Sequence, residues 1–179
     1  IFLEDFCKGL GVPLNIVDAD VDFHTGEGKS VCFKCSWLRR KALFDFCRDW
    51  NCTSLALGHH MDDAVETLIM NMMFNGIISS MPPSLPVFDG SLKIIRPLLL
   101  LAESEIGEYS RIRNYAPMQE ECPFAQHSQR SEAKKLIASI RKTNPDACRN
   151  MFRSMSNIHM DYLPASEPPE GLKHGIAEK

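Results

Sequence analysis

Residues 53–76, TSLALGHHMDDAVETLIMNMMFNG, constrain this chain more than any other stretch. The short apolar run Ser54–Leu57 has the length and composition of a buried parallel strand. Gly58, His59 and His60 form the turn that follows. From Asp62 to about Asn75, Val65, Leu68, Ile69, Met72 and Met73 recur at the spacing of one helical face. A buried strand, a tight turn and an amphipathic helix make a βα unit. In open α/β sheets ligands bind beyond the carboxyl ends of the strands, so this turn is where chemistry is expected.

The flanks alternate in the same way. IFLEDFCKGLG reads as a helix already under way, with Leu3, Phe6, Cys7 and Leu10 at helical spacing and Gly11 as its stop. The chain opens at Ile1 rather than at methionine, and we expect residues upstream of it. PLNIVD, residues 13–18, is a short strand, followed by a polar loop over 20–31. Ser36 caps a helix running to about Asp49, whose Leu43, Phe46, Cys47 and Trp50 form a buried stripe. Beyond the central unit, IISSMPPSLPVFDGSLK is a Pro/Ser/Gly excursion whose tail, with IIRPLLL, suggests a hairpin entering a strand. Helices are predicted over 103–114, 131–142 and 146–159, the last preceded by Asn144 as cap and Pro145 at its first position. APMQEECPFAQ is irregular, and residues 164–179 lack a packing pattern, so 1–163 is expected to fold and the rest to form a disordered tail. The alternation predicts an α/β class with a doubly wound, mostly parallel sheet.

No apolar run is long enough to span a bilayer, and Glu4, Asp5 and Lys8 break any signal-peptide pattern at the start. The cysteine count is seven, an odd number without a secretory signature. This favours reduced thiols in a cytoplasmic protein and metal or catalytic use for a clustered pair. The net charge of −3 does not announce a nucleic-acid binder. Residues 128–153 differ, with Arg130, Lys134, Lys135, Arg141, Lys142, Arg149 and Arg153 against Glu132 and Asp146. That surplus is either a solvated helix face or a surface for a polyanion.

Three groups of residues can carry chemistry. HTGEGKS, residues 24–30, resembles a phosphate loop, but the position five before Gly28 is Phe23, where a Walker-type loop needs glycine. Gly26, Gly28, Lys29 and Ser30 are therefore read as a flexible loop. Cys32-Phe-Lys-Cys35 is a CxxC at a loop-to-helix junction, which places two sulfurs within reach of one metal. Cys122, in EECPF, is the other cysteine in an irregular context, whereas Cys7, Cys47, Cys52 and Cys148 read as core. Three cysteines suit an iron–sulfur cluster with one open iron, or a zinc site completed by another ligand; two incidental thiols or a redox pair is the bland alternative.

The second group is GHHMDDAVET, residues 58–67. His59, Asp63 and Glu66 share one helix face, and Asp62 and Glu66 are i, i+4 neighbours. Carboxylates beside imidazoles at a helix start form a locus for a divalent cation and a nucleotide. Acids near a helix start also simply complement the helix dipole. The third group, Arg39-Arg40-Lys41, is either a solvated face or a set of phosphate-neutralising cations.

In this order the three groups resemble the tRNA-thiolating branch of the PP-loop ATP pyrophosphatases, of the 2-thiocytidine synthetase type and its 2-thiouridine relatives. The resemblance rests on C-x-x-C-S-x-L-R-R-x-x-L at 32–43, ALGHHMDDAVETLIMNMMFNG at 56–76, MPP at 81–83, IRPL at 95–98 and ECPFA at 121–125, and extends to about Leu163. It implies a Rossmann-like, adenine nucleotide alpha-hydrolase-like fold. It also implies that ATP and Mg2+ adenylate a tRNA base carbonyl and that sulfur carried on a [4Fe-4S] cluster then displaces AMP. By position, Cys32, Cys35 and Cys122 would hold the cluster, with zinc as the alternative metal. Lys41 would assist adenylation. Asp63, with Asp62 second, would be the acid near Mg2+ or the base. Gly58, His59 and Arg96 would border the nucleotide, and the basic helices would face tRNA. The implied partners are tRNA and a sulfur donor, either a cysteine desulfurase or a sulfur-carrier protein, with a homodimer left open and no membrane.

The SGGKDS pyrophosphate loop of that family is absent; by its pattern the loop and its strand belong upstream, so this chain alone is expected to be inactive. The CPFA form stands where the 2-thiocytidine type commonly has a second CxxC, and is closer to the 2-thiouridine relatives. The rival readings are a PP-loop amide-forming ligase with structural zinc and a degenerate, non-enzymatic paralogue that binds RNA or a sulfur carrier.

Overall fold

The computed structural model describes residues 2–18, 31–115 and 129–164. Its elements in chain order are α1 (Phe2–Gly9), α2 (Val31–Asp49), β1 (Ser54–Ala56), α3 (Met61–Met70), β2 (Ser84–Val87), β3 (Leu92–Ile95), α4 (Glu103–Ile112), α5 (Gln129–Thr143) and α6 (Ala147–Ser154). A π turn over Asn71–Asn75 extends α3, and a 3-10 turn covers Met160–Tyr162.

The three strands form one sheet in the order β1-β3-β2. β1 runs parallel to β3, with Ala56 opposite Ile95. β2 and β3 form the expected hairpin, with Leu85 opposite Ile94. Phe88, Asp89 and Gly90 close it with φ of 51°, 53° and 85°, left-handed backbone that Gly90 adopts at least cost. The α/β class therefore stands, with a mixed sheet rather than a mostly parallel one among the described residues.

The core lies between helices. Ala64 and Val65 of α3 are wholly buried, and Val65 packs with Ile137 of α5 and Cys148 of α6. Ile69, Met151 and Phe152 close around them. The other buried stripe is on β3, where Leu92 and Ile94 alternate with exposed Lys93, the period of a strand with one covered face. Leu99 is buried just after it.

Several expectations are corrected. Residues 13–18 form no strand: they lie exposed, with Ile16 at 74% exposure, because no described strand offers them a ladder. α2 is already helical at Val31, so Ser36 is an interior residue whose hydroxyl donates to the Phe33 carbonyl at 3.0 Å rather than a cap. Of the predicted α2 stripe only Cys47 is buried; Trp50 is 64% exposed and stacks on Phe46. β1 is not the buried strand its composition predicted, since Ser54 and Ala56 are exposed on an edge of the sheet. Met72 and Met73 point outward, at 49% and 52% exposure. The π turn widens the helix there and takes these residues off the inward face, before Gly76 ends the segment at φ 63°.

Helix α6 is shorter than predicted and its N-cap is Asp146 rather than Asn144, whose side-chain oxygen accepts from the Asp146 amide at 3.0 Å in the turn before the helix. Cys122, the Gly26–Ser30 loop and the predicted tail fall outside the described residues, apart from Pro164 of the tail. No described helix is long and apolar enough to cross a membrane.

Candidate functional site

The turn between β1 and α3 is fixed by its own residues. His60 is the N-cap of α3. Its Nδ1 accepts from the Asp63 amide at 3.4 Å, and Asp63 Oδ2 accepts from the His60 amide at 3.1 Å, a reciprocal capping box. The Met61 amide donates to the Leu101 carbonyl at 2.9 Å, which ties the helix start to the segment after β3. The Leu57 amide donates to the Ile95 carbonyl at 2.9 Å, carrying the parallel ladder to the end of β1. Gly58 and His59 thus leave β1 beside Arg96, which leaves β3.

The three acids of α3 are not equivalent. Asp62 is buried, and one of its oxygens accepts from the Glu103 amide at 2.8 Å while the other is bound by Arg141. Burial pushes its carboxyl up, but the Glu103 amide and Arg141 outweigh that and hold it below the usual carboxylate range. Asp62 is therefore a charged anchor between α3, α4 and α5.

Glu66 is also buried, 3.6 Å from Lys134 and 3.4 Å from Arg130, with Oε2 lacking a hydrogen-bond partner. Burial raises its pKa despite those two cations. Asp63 is the most open of the three, held by the capping box and 3.9 Å from Arg130.

The cations come from α5. Arg130, Lys134 and Arg141 are spaced i, i+4, i+11, which puts them on one face. Arg130 meets Asp63 and Glu66, Lys134 meets Glu66, and Arg141 meets Asp62. These three bases, expected to face tRNA, are therefore turned inward to ion pairs. Lys135 pairs with Glu132, and Arg149 lies 3.9 Å from Glu105. The signal available in sequence was an acidic row at the start of one amphipathic helix and a row of bases along another.

His59 is half-buried with Nδ1 unpartnered. Burial pushes its pKa down; Asp63 opposes this, and Arg96, Arg130 and Arg39 reinforce it. The ring is thus held neutral near pH 7 and can donate or accept one hydrogen bond on each side. Arg96 is half-buried; its Nη1 donates to the Pro82 carbonyl at 2.6 Å, its Nε has no acceptor, and burial lowers its pKa.

Helix α2 presents the cysteines. Cys32 is exposed and Cys35 half-buried, both free thiols at i, i+3 on one face. Arg39 continues that face, whereas Lys41 lies about 180° around the helix from Cys32. Lys41 is exposed and pairs with Asp45 at 2.6 Å, so the structure does not bring it to the stripe that bears the cysteines. No three His, Cys, Asp or Glu side chains converge in metal-binding geometry among the described residues. The third sulfur expected, Cys122, lies outside them.

Residues 1–141 match the model of one protein family, described as PP-loop domain. The chain belongs to this family. The tRNA-cytidine(32) 2-sulfurtransferase of Marinobacter nauticus is 34% identical over 166 residues, covering 90% of this chain and 55% of the relative. That of Hahella chejuensis is 36% identical over 166 residues, covering 90% and 58%. The U34-tRNA thiolase NcsA from Methanococcus maripaludis, solved with its [4Fe-4S] cluster, superposes with a TM-score of 0.68 at 23% identity, covering 87% of this chain and 54% of NcsA. At that identity the likeness establishes the fold. The PP-loop domain described here spans a little more than half the length of these relatives.

Proposed function

We propose that this chain is part of a cytoplasmic enzyme that thiolates tRNA at the expense of ATP, by adenylating a pyrimidine carbonyl and replacing its oxygen with sulfur. The observation that carries this reading is the identity of 34–36% to proteins named as tRNA-cytidine sulfurtransferases across nine-tenths of the chain. Two features of the site agree with it. The β1–α3 turn groups Gly58, His59 and Arg96 at a carboxyl sheet edge, where a nucleotide binds in this class of fold. Helix α2 carries a cysteine pair, of which Cys32 is exposed and Cys35 half-buried.

Cys32 and Cys35 suit an iron–sulfur cluster as adjacent free thiols on one helix face, with Cys122 as the third ligand by position. When bound, such a cluster would supply the sulfur that replaces the base oxygen. Among the acids, Asp63 would serve Mg2+ or the target base; that Asp62 is held by Arg141 and the Glu103 amide supports this choice. His59, kept neutral, would hydrogen-bond a nucleotide or a base without adding charge. The higher identity to the cytidine enzymes favours a cytidine target over U34. A sulfur donor, either a cysteine desulfurase or a sulfur-carrier protein, completes the set of partners.

Mass analysis of tRNA nucleosides from a deletion strain tests this reading. Loss of a thionucleoside, restored by the wild-type gene and not by Cys32→Ala, is the expected result; an unchanged thionucleoside profile would refute it. Protein purified without air should absorb near ~400 nm, and Cys32→Ala should abolish that band. A colourless, zinc-loaded protein would instead favour the ligase or the non-enzymatic alternative.

A further inference from the structure

Helix α2 ends in a turn that folds two cysteines against each other. The Asn51 amide donates to the Arg48 carbonyl at 3.1 Å, and the Cys52 amide donates to the Cys47 carbonyl at 2.8 Å. Asn51 takes the left-handed conformation between them, at φ 51°, which asparagine tolerates better than most residues. Two nested bonds around a left-handed residue are the Schellman ending of a helix. In that ending the second residue past the cap swings back over the third residue from the helix end, and their side chains touch. With Asp49 as the last helical residue, the two residues brought together are Cys52 and Cys47.

The two thiols differ in access. Cys47 is 4% exposed, Cys52 is half-buried, and both are free. Burial raises the Cys47 pKa, and the Cys52 thiol, in hydrogen-bonding contact with it, raises it further. Cys52 is therefore the sulfur that a reagent from solvent meets first, and Cys47 the one held in reserve beside it. A metal is a poor occupant. Two sulfurs fall short of the ligand set of zinc or an iron–sulfur cluster, and no third metal-binding side chain joins them among the described residues.

We propose that Cys47 and Cys52 are a reversible oxidation site that closes to an intramolecular disulfide, with a small-molecule disulfide as the oxidant. The Cys52 thiolate attacks one sulfur of the oxidant, forming a mixed disulfide and expelling the first thiolate. The Cys47 thiolate then attacks the Cys52 sulfur and expels the second. The protein gives up two electrons and two protons, and the oxidant leaves as two thiols. The new bond fastens the end of α2 to the entry of β1 at Ser54, the strand that leads into the His59 turn. It lies at the opposite end of α2 from Cys32 and Cys35, and it does not depend on the thiolation reading.

The test is to equilibrate the full-length protein with oxidised and reduced glutathione in the absence of air, block the remaining thiols and digest with trypsin. Cleavage after Lys41, Arg48 and Lys93 places the two cysteines on separate peptides, 42–48 and 49–93. These should be recovered as one joined mass that separates on reduction. Cys47→Ser should leave glutathione on Cys52, and Cys52→Ser should leave Cys47 unmodified. In the native protein the joined mass should need about a tenfold smaller excess of oxidised glutathione than in the urea-unfolded chain.

Equal requirements in native and unfolded protein would overturn the proposal, because closeness in sequence would then explain the pairing. Wild-type protein that carries glutathione on Cys52 with Cys47 still free would overturn it as well, as would native protein in which both thiols stay reduced.

Discussion

Helices α2 and α3 each place a charged row beside the β1–α3 turn. The acids of α3 are met from the opposite side by the basic face of α5, and two of the three are buried. Three bases of α2 meet local partners: Lys41 pairs with Asp45 one turn on, Arg40 donates to the Ser36 carbonyl, and Arg48 pairs with Asp45 and Asp49. Charge that a second helix covers serves to join elements. Charge that pairs within its own helix leaves that helix unfastened to its neighbours.

The sharpest way to break this contrast is to remove the cation under Asp62. Arg141→Met should leave a buried carboxylate with the Glu103 amide as its remaining partner. The expected loss is about 3 kcal/mol, measured as a shift of the urea midpoint. A change below about 0.5 kcal/mol would mean that the α3–α5 pairs do not anchor the fold.

A smaller effect should come from Glu66. Its carboxyl is raised in the folded state, so the folded protein binds more protons than the unfolded chain between the two pKa values. Stability from this group is therefore full at low pH and is lost as pH rises through that window. Glu66→Gln removes the loss, so its stability relative to wild type should rise as pH climbs above the ordinary glutamate range. A relative stability that falls with pH would show that Lys134 and Arg130 dominate instead. Asp62 has the opposite sign: its lowered carboxyl stabilises above the ordinary aspartate range, and that contribution is lost as pH falls through the folded value.

The smallest effect belongs to α2. Lys41→Ala removes an exposed i, i+4 pair and should change stability by no more than about 0.5 kcal/mol in the same urea titration. A larger loss would place Lys41 among buried contacts and erase the distinction between the two helices.

The sequence was most readable where periodicity and a local stop signal coincide. α4, α5 and the β2–β3 hairpin lie close to their predicted bounds, because helical and alternating patterns are properties of the segment itself. Failures came where the answer depends on a partner elsewhere. Ser54–Leu57 looks apolar enough to be buried, but burial requires an element lying over it. PLNIVD has strand composition but needs a neighbouring strand to pair with. At the site, the βα turn was legible; of the cysteines read as core, Cys47 and Cys148 are buried, whereas Cys7 and Cys52 are half-buried like Cys35. The division of labour among Asp62, Asp63 and Glu66 was not, because it is decided by which acid meets Arg141 across the helix pair.

The two rims of the small sheet differ in what they can accept. Lys93 directs its amide inward to the Thr53 carbonyl, so Pro86, opposite it, stands where an outward-pointing donor would be and supplies none. The β2 rim is thus blocked against extension by its own imino acid. The β1 rim carries no such interruption, and any strand recruited by this sheet, from the same polypeptide or from another, is steered to that flank.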